Sequence, residues 1–311
     1  MKKTRFEWID NIRGVMIILV ALGHIVTDGS IDNTFNSIMR MPTFFMISGF
    51  LFKFKPPRAY LKHKLKHLIL PYFVYLAPIL AIQMILEDKS ILEFFARLVL
   101  GGPYLYAWTG VFWFITCLFF TQQIFNLFRS LKLNKIGVVM LISLVLAYAN
   151  EYVTSFNFPL SLNVCLYSCP LFFMGFLFKK HLEESKKNVV IPILLLIVIF
   201  VISLNFNELY INMKTANYGV AVISFLFSVL AAYCCIKLFQ PFPNLHLFSF
   251  FGRASMVIMY LHLPINYMIL QLYPHANQWL ILVMAILIPT SLFYVFKMNK
   301  ISRKYLLGES N

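Results

Sequence analysis

Charged side chains are scarce in this sequence, and acidic ones are scarcer than basic ones. Only 13% of the 311 residues are Asp, Glu, Lys or Arg, whereas 60% are hydrophobic, and 12 acidic residues stand against 27 basic ones. So large an apolar fraction excludes an ordinary soluble globular protein. We therefore predict an all-α, polytopic integral membrane protein.

Several other features are also missing. All five cysteines lie inside apolar segments, and no histidine or carboxylate stands beside Cys165 and Cys169. We interpret them as small packing residues and predict no metal site. The beginning of the chain has no small-residue cleavage site, so we expect its first apolar segment to be retained as a span. No internal repeat of the kind common among transporters is evident.

Apolar segments of helical period recur along the whole chain. We count ten, at residues 12–28, 36–54, 68–86, 104–128, 136–150, 162–178, 189–204, 216–239, 250–272 and 278–297. With the N-terminus in the cytoplasm, 22 of the 27 basic residues fall on the inner side, as the positive-inside rule requires. We predict about ten transmembrane helices, both termini in the cytoplasm and contact with membrane lipids. The net charge of +15 is then explained by the basic residues that set the membrane topology, and we expect no nucleic-acid partner.

The first apolar segment carries an unusual stripe of ionisable residues. Arg13 and His24 are eleven residues apart, which on a helix places them ~20° apart around the axis and ~16 Å apart along it. Asp10 and Asp28 fall within the same ~60° sector. Ionisable groups at membrane depth are costly and usually functional. Two structural alternatives remain: Arg13 pairs with Asp10 and extends toward the interface, and His24 is a neutral histidine bonded between helices.

Two further residues are candidates for the same site. His262 lies near mid-membrane in the ninth segment, beside Pro264, and could line one cavity with His24 or serve only as a structural histidine. Arg40 lies near the outer end of the second segment, against the charge bias. It could contact an anionic substrate or a polarised carbonyl, or it could be a simple interface anchor. Asp28 could fix the tautomer of His24, or it could be an ordinary loop residue.

The basic stretch before Pro71 and the residue Trp113 each have a structural and a functional interpretation. The stretch before Pro71 is the most basic in the chain, and Lys64 and His67 lie on one side of its forming helix. Such a cluster either enforces topology and touches anionic lipid, or binds a polyanionic cofactor. Trp113 near the outer start of the fourth segment is typical of an interfacial aromatic belt, although aromatic rings also stack on sugars.

An ordered set of short motifs resembles the membrane acyltransferase 3 family. The motifs are Asp10-x-x-Arg13-Gly14 with His24, Pro42-x-Phe44-Phe45-x-x-Ser48-Gly49-Phe50-Leu51, Leu70-Pro71-Tyr72, Trp113-Phe114-Ile115, Phe172-Phe173-x-Gly175, and Gly252-Arg253-x-Ser255 with Tyr260-Leu261-His262. The resemblance covers about residues 6–300 and is greatest to the fucose 4-O-acetylase-like and exopolysaccharide O-acetyltransferase branch. It implies that residues 1–311 are a single transmembrane acyltransferase domain.

The resemblance also implies an activity and a location. A multi-pass protein of a bacterial cell membrane would transfer an acyl group, usually acetyl, from cytoplasmic acyl-CoA to a sugar hydroxyl. The acceptor would be a surface polysaccharide or its lipid-linked precursor, and acetyl-CoA would be a donor substrate rather than a tightly bound cofactor. Arg13 and His24 would be the essential pair. The family often has two arginines three residues apart where this chain has Lys64 and His67, so bidentate phosphate binding is lost there.

We expect catalytic roles for His24, Arg13 and Asp10; donor binding by Arg13, Lys64 and His67; and acceptor binding by Arg40, Asp28, Trp113, Tyr260 and His262. Neutral histidine suits general-base work on a hydroxyl near physiological pH. The alternative function is a glycan transporter or flippase in which Arg13, His24 and His262 form a proton relay or substrate path.

Overall fold

The computed structural model describes residues 6–26, 34–184, 188–243 and 245–309, most of which are helical. Within these ranges the α-helices are α1 (Glu7–Ile25), α2 (Thr34–Phe50), α3 (Pro57–Lys64), α4 (Leu70–Leu86), α5 (Ile91–Leu100), α6 (Trp113–Leu127), α7 (Leu133–Ala149), α8 (Cys165–Glu184), α9 (Val190–Asn205), α10 (Ile223–Phe239), α11 (His246–Arg253), α12 (Ser255–Leu272), α13 (Gln278–Met298) and α14 (Lys300–Tyr305). A π-helical turn, Leu65–Ile69, joins α3 to α4.

Among the described residues, seven helical stretches are long and apolar enough to cross a membrane. They are Glu7–Ile25, Pro57–Leu86, Ala107–Ser130, Leu133–Thr154, Pro159–Lys179, His246–Leu272 and Gln278–Met298. The apolar helices Val190–Asn205 and Ile223–Phe239 are shorter. Over the described residues, the prediction of an all-α protein is confirmed, and its long apolar helices are candidates to span a membrane. The count of about ten spans and the cytoplasmic termini remain predictions.

The helices form two compact units. Unit 1 comprises residues 1–52, 171–212 and 217–255, and unit 2 comprises residues 53–170, 213–216 and 256–311. In unit 1, α1 packs against α2, α10 and α11, and α9 packs against α2 and α10. In unit 2, α6 contacts α3, while α4 contacts α5 and α14.

Glycines allow the helices of unit 1 to touch through their backbones. A Cβ added at Gly14 would overlap the Phe248 carbonyl oxygen and lie 2.8 Å from its carbon. The reverse contact is as close, because a Cβ at Gly252 would lie 2.6 Å from the carbonyl carbon of Asp10. Small residues permit this approach in membrane helices, where van der Waals packing drives association. The azimuth of α1 is therefore fixed against α11.

Aromatic rings dominate one part of the core of unit 2. The rings of Tyr75 on α4 and Tyr260 on α12 stack with centroids 4.6 Å apart and planes 18° apart. Phe112 contacts Tyr260 at 5.0 Å and Tyr72 at 5.8 Å between centroids. All four residues are buried. These contacts join α4 and α12 to the residues that lead into α6.

One buried arginine has a structural explanation. Arg97 on α5 is 8% exposed and hydrogen-bonds both Glu93 and the Tyr106 hydroxyl. The same hydroxyl donates to Glu87 at 2.8 Å, and Glu87 also accepts from Gln83 at 2.8 Å. A buried charge is tolerated when it is paired and hydrogen-bonded in this way. Arg97, one of the few basic residues on the predicted outer side, therefore ties the α4–α5 corner to the loop before α6.

Candidate functional site

Arg13 and Asp10 form a partly buried pair on α1. Nη1 of Arg13 lies 3.8 Å from Oδ1 of Asp10, with the arginine side chain 34% exposed and the aspartate side chain 5% exposed. The neighbouring Asn11 is fully buried, and its Nδ2 donates to the Phe242 carbonyl at 2.7 Å. The contact between Asp10 and Gly252 holds the same turn of α1 against α11. Arg13 is thus anchored at its backbone and reaches outward at its guanidinium.

His24 lies on the last turn of the same helix. Since α1 runs unbroken from Glu7 to Ile25, the helical rise separates Arg13 from His24 by ~16 Å and leaves them on one face. The His24 side chain is exposed. The structure therefore supplies one helix with a cation near its start and an imidazole near its end. Asp28, the predicted partner of His24, lies outside the described residues.

Arg40 lies next to the backbone that carries His24. A Cβ added at Gly23 would overlap Nη1 of Arg40 and lie 3.2 Å from its Cζ. Arg40 is only 8% exposed, although it is a cation on α2. Nδ2 of Asn36, one turn earlier on α2, donates to the Leu19 carbonyl at 3.4 Å. The guanidinium thus occupies the space that Gly23 leaves open, one residue before His24.

The acceptor candidates of unit 2 are buried. His262 has no exposed surface, and its Nδ1 lies 2.8 Å from the Ile258 carbonyl oxygen. Because a carbonyl only accepts, Nδ1 carries the proton in this contact, and Nε2 is the basic nitrogen of the neutral ring. Tyr260 belongs to the aromatic stack with Tyr75, and Trp113 is 6% exposed at the beginning of α6.

Lys64 and His67 both contact groups of unit 2. The Lys64 ammonium lies 5.4 Å from the Tyr60 ring centroid. His67 hydrogen-bonds the Gly308 carbonyl through Nδ1, and its ring centroid is 4.0 Å from that of His63. Lys64 therefore contacts its own helix, whereas His67 contacts the chain that follows α14.

The predicted residues are divided between the two units. Arg13, His24 and Arg40 share unit 1, while Lys64, His67, Trp113, Tyr260 and His262 belong to unit 2. In the described part of the chain, no three His, Cys, Asp or Glu side chains are grouped in a way that could hold a metal ion.

Sequence reasoning missed Gly23 and Tyr75. A glycine directly before His24, in an otherwise aliphatic run, signals that another helix approaches there. Tyr75 follows Tyr72 by one turn, so both could have been assigned to the same face of α4. Neither residue could be matched to its partner without the fold, because Arg40 and Tyr260 lie on other helices.

Comparison with known proteins identifies a family. A family model described as "Acyltransferase domain" matches residues 6–298 of this chain. No curated protein and no solved structure matches.

Proposed function

The chain belongs to this acyltransferase-domain family, and on that premise we propose that it is an integral membrane O-acyltransferase that transfers an acetyl group from cytoplasmic acetyl-CoA to a sugar hydroxyl. The acceptor is a cell-surface polysaccharide or its lipid-linked precursor. The observation that carries the proposal is the unbroken helix α1, which presents Arg13 and His24 on one face. The family and the apolar helices support a membrane acyltransferase; the donor, the acceptor and the residue roles are our assignment.

His24 is the general base of this reaction. A thioester is already activated, so the chemistry needs a group that removes the proton of the attacking hydroxyl. A neutral imidazole nitrogen takes that proton as the sugar oxygen bonds to the carbonyl carbon. The carbon–sulfur bond then breaks, and the imidazolium returns the proton to the leaving thiolate. An acyl-histidine intermediate is a second route with the same residue. Exposure of the His24 side chain is compatible with either route.

Arg40 stabilises negative charge near His24. Its guanidinium is buried against Gly23, in surroundings where a charge interacts more strongly than it does in water. Attack on a thioester places charge on the carbonyl oxygen, and a fixed donor aimed at that oxygen lowers the barrier. Planar, multiply donating arginine suits this task better than lysine does.

Arg13 binds the phosphates of the donor. The side chain is one-third exposed at the predicted cytoplasmic end of α1 and is oriented by Asp10. The helical rise places it ~16 Å from His24, a distance that an extended pantetheine arm can bridge. In unit 2, Lys64 and His67 are our assignment for donor binding, with lysine acting as a point charge. Tyr260, Trp113 and His262 serve the acceptor.

Acyl transfer by the purified full-length protein tests the proposal. The protein in lipid nanodiscs is incubated with radiolabelled acetyl-CoA and the glycan lipids of cells that lack it, and both CoA release and glycan labelling are measured. His24→Ala is expected to reduce labelling by about 10²–10⁴-fold, the usual worth of a general base. His275→Ala is the matched control, because His275 is an exposed histidine in the turn between α12 and α13.

Two results of this assay would contradict the proposal, one for the role of His24 and one for the reaction itself. Labelling that survives His24→Ala at the wild-type rate removes the catalytic role of this residue. Glycan that crosses the bilayer without CoA release by the wild-type protein indicates the transporter alternative instead.

A further inference from the structure

A shallow groove lined by basic residues and leucines lies beside the first turns of the long helical stretch Pro57–Leu86. Its volume is about 600 Å³, and it lies wholly within unit 2. Four basic residues line it: Arg58, Lys62, Lys66 and Lys304. The other lining residues are Leu61, Leu65 and Leu70. The side chains of basic residues and leucines therefore line one open, mostly apolar concave surface on the predicted cytoplasmic side.

The two kinds of side chain lie in adjacent rows. Arg58, Lys62 and Lys66 recur every four residues, and so do Leu61 and Leu65, so each set follows one side of the helix. Leu61 and Leu65 are 42% and 43% exposed. The leucine row continues into Leu70, where the apolar part of the helix begins. A ligand that fills this groove needs a negative head and an apolar body.

The charge of the groove is unbalanced. Within the ranges that the structure describes, none of the four basic groups has a carboxylate within ion-pair distance. Arg303, the neighbour of Lys304, differs because its Nε lies 2.9 Å from Oε2 of Glu309. Lys304 also lies 4.8 Å from the Tyr305 ring centroid. Like charges gathered around one concave surface repel one another, and a bound anion relieves that repulsion.

The predicted donor-binding residues point to another side of the helix. Lys64 is two positions from Lys62, which is ~200° around an α-helix, and it lies over the Tyr60 ring. His67 is bonded to the Gly308 carbonyl. The groove is therefore formed by basic residues that the donor assignment does not use.

We propose that this groove binds one anionic phospholipid. The phosphate lies among Arg58, Lys62, Lys66 and Lys304, and an acyl chain follows Leu61, Leu65 and Leu70. Basic clusters next to membrane-spanning helices bind anionic headgroups in this way. The leucine row favours a lipid over a soluble anion, because a soluble phosphate has no apolar part that could cover the exposed leucine side chains. This inference depends on the membrane location and not on the acyl-transfer proposal.

Native mass spectrometry of the full-length protein provides the test. The protein is stripped of lipid in detergent and titrated with phosphatidylglycerol in a background of phosphatidylcholine. We expect one phosphatidylglycerol to bind selectively. The double variant Lys62→Gln with Lys66→Gln should bind it roughly 30-fold more weakly, because each lysine near a membrane surface contributes about fivefold. Lys132→Gln with Lys135→Gln is the matched control, since it removes two exposed basic residues elsewhere in unit 2.

A second variant distinguishes the contribution of the groove's shape from that of its charge. Leu65→Trp fills the groove and keeps all four cations, so it should also lose the selective binding. Equal phosphatidylglycerol binding by the wild type and both groove variants would overturn the proposal. An equal loss of phosphatidylglycerol binding in the Lys62/Lys66 double variant and in the Lys132/Lys135 control would also overturn it, because the effect would then come from general surface charge. Loss of CoA binding with unchanged lipid binding in the groove pair would assign the groove to the donor instead.

Discussion

The guanidinium of Arg40 lies against the backbone of Gly23, in space that no other residue at position 23 would leave open. The contact joins α2 to α1 one residue before His24. It also gives a cation that is only 8% exposed the room it needs at this point of the molecule. The position of the charge therefore depends on the absence of a side chain on the neighbouring helix.

Gly23→Ala is predicted to impair acyl transfer without unfolding the protein. The new methyl group meets the end of a flexible arginine side chain, which can move away at small cost. The guanidinium would then no longer be aimed beside His24, and the rate should fall by at least about tenfold. The turnover rate and the thermal midpoint are both measured. Arg40→Gln should lower the rate further, by about 10²-fold.

The effects of Gly23→Ala and Arg40→Gln on the rate of acyl transfer should not be additive. If Gly23→Ala acts only through Arg40, then the double variant with Arg40→Gln has the rate of Arg40→Gln alone. Independent, multiplying effects in the double variant would contradict the relationship between these two residues.

Arg13→Gln is predicted to raise KM for acetyl-CoA by about tenfold or more, with a smaller change in kcat. In the proposed function Arg13 binds the donor phosphates far from the reacting carbonyl, and such a group contributes to binding before it contributes to chemistry. Asp10→Asn should have a weaker effect in the same direction, because Asp10 orients Arg13. Steady-state kinetics over a range of donor concentrations measure both.

A shortened donor provides the control for Arg13. Acetyl-pantetheine has the thioester and the arm but no nucleotide phosphates, so Arg13→Gln should not change its KM. An equal rise in KM for both donors would place Arg13 at the thioester end and contradict the phosphate assignment.

Gly14→Ala is predicted to destabilise the folded protein strongly. Its Cβ would meet the main chain of Phe248 on α11, which cannot move aside as a side chain can. Overpacking of this kind costs about 1–3 kcal/mol or more. Fluorescence-detected gel filtration after heating measures the change. Gly23→Ala is the matched control on the same helix, and an equal fall in midpoint for both variants would contradict the distinction.

Lys214 is predicted to make stability rise with pH in the alkaline range. It lies in the loop between α9 and α10, against Gly110, and burial lowers the pKa of its ammonium to about 8. In the unfolded chain, lysine titrates near pH 10.4. Between these values the unfolded state binds more protons, so the free energy of unfolding increases with pH, by at most about 3 kcal/mol.

Lys214→Met tests this prediction. Thermal midpoints in nanodiscs are compared at pH 7.5 and pH 9.5, and the wild type should gain more between the two values than the variant does. The variant should also be the more stable protein at pH 7.5, because it no longer buries a charge. Lys89→Met, at an exposed position, is the control. Identical pH slopes for all three proteins would contradict the effect of burial at Lys214.

Hydropathy and periodicity predict α1 well, because they depend on the side chains of one helix. The face shared by Arg13 and His24 follows from helical geometry alone, and α1 is unbroken between them. The contact of Arg40 with Gly23 could not be predicted, since it depends on how two helices pack.

Backbone conformation is the other feature that the sequence hides. The apolar segment 216–239 suggests one helix, yet α10 begins only at Ile223, after Gly219 and Val222 with φ of +70° and +65°. The ninth segment is likewise divided between α11 and α12 at Ala254. Hydropathy averages over such turns, because a buried turn and a buried helix can have the same composition.

The glycine contact between α1 and α11 limits which motions can accompany turnover. Rotation of α1 about its axis, or sliding along α11, would drive main-chain atoms into one another at Gly14 and Gly252. The two helices must therefore travel as one rigid body. In the proposed reaction α1 then keeps the distance between Arg13 and His24 constant. A bulkier acyl group can therefore be accommodated only by displacing the acceptor, because the distance between the donor phosphates and the general base cannot increase.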